Sequence, residues 1–158
     1  MKILFLDIDG VLNCKYTKES FAGYAFVSDD KIRLLKKIIE ATDAQIVLSS
    51  SWREGWFYKD HAPHTSNTEL DLFEALWDKL LEFDIEMLDY TAEYGHRGME
   101  IDAWLKGCYN ENIESYVILD DMDESELRPH SSHLVQTDFS EGLTEKHVIM
   151  AIEMLNEK

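Results

Sequence analysis

Ile3 to Leu6 is an unbroken apolar run that overlaps the head of the ten-residue stretch Leu4 to Asn13, LFLDIDGVLN. So short a run reads as a strand buried on both faces, the situation of a strand inside a parallel sheet. Two aspartates follow, Asp7 and Asp9, then Gly10. Side chains two apart along a strand project to the same side. If the strand ends near Asp7, both carboxylates leave the sheet together at its carboxyl end, where open α/β sheets bind ligands. Gly10 allows a sharp turn and a close approach of ligand to main chain. Two carboxylates this close repel by about a few kcal/mol at an effective dielectric of about 20. A divalent cation with oxygen ligands would offset that cost. A solvated acidic turn is the plainer reading of the pair alone, and the rest of the chain has to decide.

That rest repeats the pattern. Helix periodicity covers Asp29 to Ala41, with Ser28 or Asp29 as cap and Ile32, Leu35, Ile38 and Ile39 on one face. Ala44 to Leu48 reads as a second buried strand, followed by Ser49, Ser50, Ser51, Trp52 and Arg53 and a long loop to His64. A helix from Thr68 to Phe83 turns Leu70, Phe73, Leu76, Trp77, Leu80 and Leu81 inward, and Ile85 to Leu88 is a short third strand. Arg97 opens a helix that Gly107 ends; Tyr116 to Leu119 is a fourth strand, stopping at Asp120 and Asp121. Leu134 to Thr137 is a fifth, and a last helix begins near Thr144 with Val148, Ile149, Ile152 and Leu155 inward. Strands alternating with helices imply a doubly wound, mainly parallel five-stranded sheet in a three-layer α/β/α sandwich. At 158 residues the chain is expected to form a single domain, with residues 14–27 as a small flap.

Composition narrows the partners. The formal net charge of −17 argues against nonspecific nucleic-acid binding, which draws on Lys and Arg. No apolar run approaches the roughly 20 residues needed to span a bilayer, and Met1-Lys2 leads straight into a strand, so no signal peptide is expected. Cys14 and Cys108 have neither metal-ligand spacing nor a disulfide framework, as in a reducing cytoplasm. Oligomeric state is left open.

Asp7/Asp9, Ser49–Ser51 and Asp120/Asp121 all follow strand ends, and Arg97 starts a helix on the same rim. Parallel strands share one direction, so the four groups converge on a single crevice. With LFLDIDGVLN, IVLSSSW, HRGMEI and VILDD in that order, the chain resembles the haloacid dehalogenase-like (HAD) superfamily of aspartate-dependent phosphotransferases. SSSWR, RGxEIxxWL and ILDD further resemble the HAD domain that recurs in bacterial RNA-repair proteins.

The resemblance implies a Mg²⁺-dependent phosphohydrolase acting through an aspartyl-phosphate. By it, Asp7 is the nucleophile and Asp9 the general acid and base. The metal is bound by Asp7, the Asp9 carbonyl and Asp120, with Asp121 holding the metal shell. Ser49, or its rival Ser50, binds a phosphoryl oxygen, and Arg97 stands where a lysine is more usual, with Lys106 as rival. Gly10 and Arg53 are further candidates for substrate contact; a surface arginine opening a helix is the alternative for Arg53. Dehalogenating members lack the second aspartate, so Asp9 favours phosphate chemistry. A phosphate-receiver domain would place its acceptor aspartate on the third strand and is excluded by the order.

Only about 20 residues separate Asp9 from the first helix, and Tyr90 to His96 is shorter, so no large cap domain fits. An open crevice suits a terminal phosphate on something large: a nucleic acid 3′ or 5′ end first, otherwise a nucleotide or phosphoprotein. A small-metabolite phosphatase and a non-catalytic metal- or phosphate-binding regulatory module are the alternatives. Trp56, Phe57 and Tyr58 either stack on a base or pack on the domain. His61 and His64 lack partners at zinc spacing, His96 is a loop histidine, and Asp123, Glu124 and Glu126 form an acidic turn.

Overall fold

The computed structural model describes residues 1–64, 66–107 and 112–157; Cys108 and the side chain of Glu124 lie outside what is described. Strand β1 (Lys2–Leu6) is followed by the hairpin β2 (Ser20–Phe21) and β3 (Tyr24–Ala25), then α1 (Asp29–Thr42) and β4 (Gln45–Leu48). Next come α2 (Arg53–His61), α3 (Thr68–Leu81), β5 (Met87–Tyr90), α4 (Arg97–Leu105) and β6 (Ser115–Asp120). A short α5 (Glu124–Leu127) runs into a 3₁₀ turn at Arg128–His133, followed by β7 (Leu134–Gln136) and α6 (Glu145–Asn156).

The five-stranded sheet has the order β5-β4-β1-β6-β7, and every pairing in it is parallel. β1 is central and its alternation builds both faces. Leu4 and Leu6 enter one core with Ile32, Leu35 and Ile38 of α1, Phe73 and Leu76 of α3, and Val148 and Leu155 of α6. Ile3 and Phe5 enter the other with Ile101 of α4 and Leu127 of α5. The result is the expected three-layer, doubly wound sandwich. No cap is evident among the described residues, and none of their helices is long and apolar enough to cross a membrane.

Three local expectations are corrected. The loop after Ser51 contains α2, hidden in sequence because its residues are aromatic and polar without an apolar stripe. β5 begins two residues later than expected, because Asp84 adopts a left-handed conformation (φ 56°) and ends α3. The Asp84 and Ile85 N–H groups then donate to Leu81 and Leu80 carbonyls, so Ile85 belongs to the cap. In α6 Ala151 is buried where Ile149 is 57% exposed, and Leu81 of α3 is also exposed. Helix α4 ends as expected, with Leu105 its last residue, Lys106 its cap and Gly107 directly after it.

Gly55 explains how α2 sits so close to α3. A Cβ there would lie 2.2 Å from the Glu69 carbonyl oxygen and 2.4 Å from Phe73 Cβ, and main chain cannot swing aside. Gly55→Ala should therefore destabilise by about 1–3 kcal/mol, the usual cost of overpacking, although alanine is the better helix former. Urea unfolding at constant m-value reads this; an unchanged or raised midpoint would contradict it.

Candidate active site

β1 and β6 are neighbours in register, so their carboxyl ends deliver Asp7 and Asp120 side by side, the Asp7 N–H donating to Leu119 O at 3.0 Å. Carboxylate oxygens of Asp7, Asp120 and Asp121 all lie within 4.8 Å of one another. Gly10 makes this possible. Its φ is +82°, and a Cβ there would fall 2.2 Å from an Asp121 carboxylate oxygen. Its N–H already donates to Asn13 Oδ1 (2.9 Å) and its carbonyl accepts from Thr137 Oγ1 (2.6 Å). Gly10 thus provides the clearance that Asp121 needs.

Charge at this edge is dense. Burial first, then the nearby Asp120, pushes the Asp7 carboxyl well above its ordinary value, against the opposing pull of Arg97. Burial and Asp120 raise Asp121 as well. Arg97, at the start of α4, sets Nη1 2.6 Å from Asp120 Oδ2 and 3.6 Å from Asp7 Oδ1. Burial works against its charge, but Asp120, Asp7 and Glu100 outweigh that and hold it protonated. Lys106 caps the opposite end of α4, roughly 13 Å along the helix axis at 1.5 Å per residue, which removes it as Arg97's rival.

β4 delivers the serines. Ser49 is fully buried, its N–H donating to Leu6 O, and its hydroxyl meets no hydrogen-bond partner. Ser50 is buried too, but its hydroxyl oxygen accepts from the Trp52 N–H at 3.2 Å, in the turn that starts α2.

Arg53 departs from the expectation of a surface arginine. It is 6% exposed, and Nη1 donates to Ser49 O (2.7 Å) and Thr91 Oγ1 (3.4 Å) while Nη2 pairs with Glu100 Oε2 (3.0 Å). Its guanidinium ties the end of β4 to α4. Glu100, 2% exposed, also lies 3.8 Å from Arg97 Nε and accepts from the Tyr94 N–H. Sequence reasoning missed Glu100, although its position one helical turn after Arg97 puts both on one face. It missed Asn13 and Trp52 as well. Their N–H groups hold the two oxygens of exposed Asp9, at 2.9 Å from Asn13 Nδ2 and 3.1 Å from Trp52 Nε1.

The remaining candidates resolve simply. Trp56 packs on Phe73, Trp77 and Tyr90, whereas Phe57 is 48% exposed. His61 Nδ1 lies 2.8 Å from Phe57 O, His96 caps α4 and Asp123 caps α5, so none of the three joins the acidic cluster.

Three clustered carboxylates, two of them raised in pKa by burial first and by the nearby Asp120 second, form an oxygen-only donor set that fits a hard divalent cation. No curated protein and no solved structure matches the chain significantly. Residues 3–148 do match the family described as "HAD domain in Swiss Army Knife RNA repair proteins". Phosphohydrolase-type chemistry is what that family suggests. A match over nearly the whole sequence, on a fold that brings its four motifs to one edge, means that the chain belongs to this HAD family.

Proposed function

We propose that this protein is a Mg²⁺-dependent phosphomonoesterase that works through an aspartyl-phosphate on Asp7. The convergence of Asp7, Asp120 and Asp121 within 4.8 Å, facing Arg97, carries the reading. Asp7 attacks phosphorus; as the new O–P bond forms, the bond to the leaving oxygen breaks and that oxygen takes the Asp9 proton. In the second half Asp9 takes a proton from water, whose oxygen bonds to phosphorus and returns the bonding pair to Asp7. The Ser49 hydroxyl donates to a phosphoryl oxygen, and its lack of another partner supports it over Ser50. Arg97 neutralises the charge on those oxygens. A cation held by Asp7, Asp120 and Asp121, together with the Asp9 carbonyl that the resemblance implies, would supply Lewis-acid charge to the same phosphate.

A terminal phosphate on a large molecule, a nucleic acid end first, is the proposed substrate class. The open edge supports it, and so does the family's RNA-repair description. A cleft of about 580 Å³ lined by Arg53, Phe57, Tyr58, His61, Tyr90 and Thr91 offers aromatic surface for the group that bears the phosphate. Free Cys14 is in keeping with a cytoplasmic setting. The test is turnover of an aryl phosphate and of 3′- and 5′-phosphorylated oligonucleotides, with Mg²⁺ and with chelator. Asp9→Asn should cost about 10²- to 10⁴-fold, the usual contribution of a general acid. Metal binding by calorimetry with no turnover on any phosphate would establish the non-catalytic module instead.

A further inference from the structure

Asp9 stands apart from the buried carboxylates. It is exposed, yet both its oxygens are engaged by side chains fixed elsewhere. Asn13 is 1% exposed, and its amide is oriented by a second bond, Oδ1 accepting from the Gly10 N–H. An amide held at its oxygen must present its NH₂ to Asp9. Trp52 is 8% exposed, its main-chain N–H donating to Ser50 Oγ and its ring 6.2 Å from that of Phe26. An indole nitrogen can only donate. The two donors therefore arrive from different segments, 4 and 43 residues along the chain from Asp9. A carboxylate offers about four lone-pair positions, so two remain for the transferred proton.

An exposed aspartate held by nothing would sample several rotamers, and a general acid must lie within hydrogen-bond reach of the oxygen it protonates. We infer that Trp52 and Asn13 are positioning residues that hold the Asp9 carboxyl against the leaving oxygen. This rests on the proposed acid–base role of Asp9.

A positioning role, unlike a purely structural one, shows itself in the dependence of rate on the leaving group. A p-nitrophenolate leaves without a proton, whereas the alkoxide of a ribose or an alkyl chain needs one. The value of kcat/KM reports only steps up to transfer of the phosphoryl group to Asp7, so it isolates Asp9 as acid from Asp9 as base. Trp52→Phe keeps an aromatic ring and deletes the N–H. We expect it to lower kcat/KM for an alkyl phosphate by about tenfold or more, while p-nitrophenyl phosphate changes by less than about threefold. Asn13→Ser should act in the same direction and serves if Trp52→Phe does not fold. Equal losses on both substrates, or none, would overturn the inference. Asp9→Asn run alongside separates the two levels. If it shows the leaving-group-selective loss and the Trp52 and Asn13 variants do not, only the positioning role falls. If Asp9→Asn itself shows no selectivity, the acid role of Asp9 falls and takes the inference with it.

Discussion

Asp7→Asn should abolish turnover, lowering kcat by roughly 10⁴-fold or more as expected for loss of a nucleophile, and at the same time raise the melting temperature of the metal-free protein. The two effects share one cause. Asp7 is 7% exposed and is grouped with two other carboxylates, opposed by Arg97 and by a main-chain hydrogen bond from Ile8. Burial and Asp120 raise its carboxyl well above 3.8, so the folded chain holds a proton that the unfolded chain has released. Stability conferred by that proton is present at low pH and falls as pH rises from about 3.9 through the raised folded value. Asparagine is neutral throughout and removes this loss. Melts in chelator from pH 4 to 8 should show wild type falling relative to the variant, the gap widest at neutral pH. Added Mg²⁺ should narrow it by binding the wild-type cluster more tightly. A variant that melts lower than wild type at pH 7 without metal would contradict this electrostatic account. Retained activity would remove Asp7 as nucleophile.

The acidic cluster was readable in sequence for a physical reason. Strands buried on both faces appear as uninterrupted apolar runs, and residues just beyond such runs emerge at one edge of the sheet. Asp7, Ser49 and Asp120 each follow such a run, and Arg97 opens the helix that starts on that edge. What could not be read depended on contacts between segments. Nothing near Trp52 announces that its indole reaches Asp9, 43 residues earlier. The proposed preference for Ser49 over Ser50 rests on which hydroxyl the start of α2 engages, and α2 itself lacks the apolar periodicity that reveals a helix. Arg53 and Glu100 were misjudged or missed because single charged residues are ordinarily exposed; each is buried by virtue of the other.

That mutual dependence makes Glu100 the position of largest expected stability loss. Its carboxylate faces Arg53 at 3.0 Å and Arg97 at 3.8 Å, with side-chain exposures of 3%, 7% and 13%, and its other oxygen accepts from the Tyr94 N–H. Glu100→Ala leaves the Arg53 guanidinium buried without its counter-charge and a main-chain donor without its acceptor. Removing one partner of a buried pair costs about 3–5 kcal/mol, or roughly 10 °C in melting temperature for a chain of this size. Replacing both partners should cost less than the sum. Arg53→Met with Glu100→Gln removes both charges at near-constant volume, and a double-mutant cycle in urea should return a coupling of about 1 kcal/mol or more. Arg53 also holds the Ser49 carbonyl at 2.7 Å, so the double variant should recover stability without recovering full activity. If Glu100→Ala melts within a degree or two of wild type, the pair is solvated in solution and the link between β4 and α4 lies elsewhere.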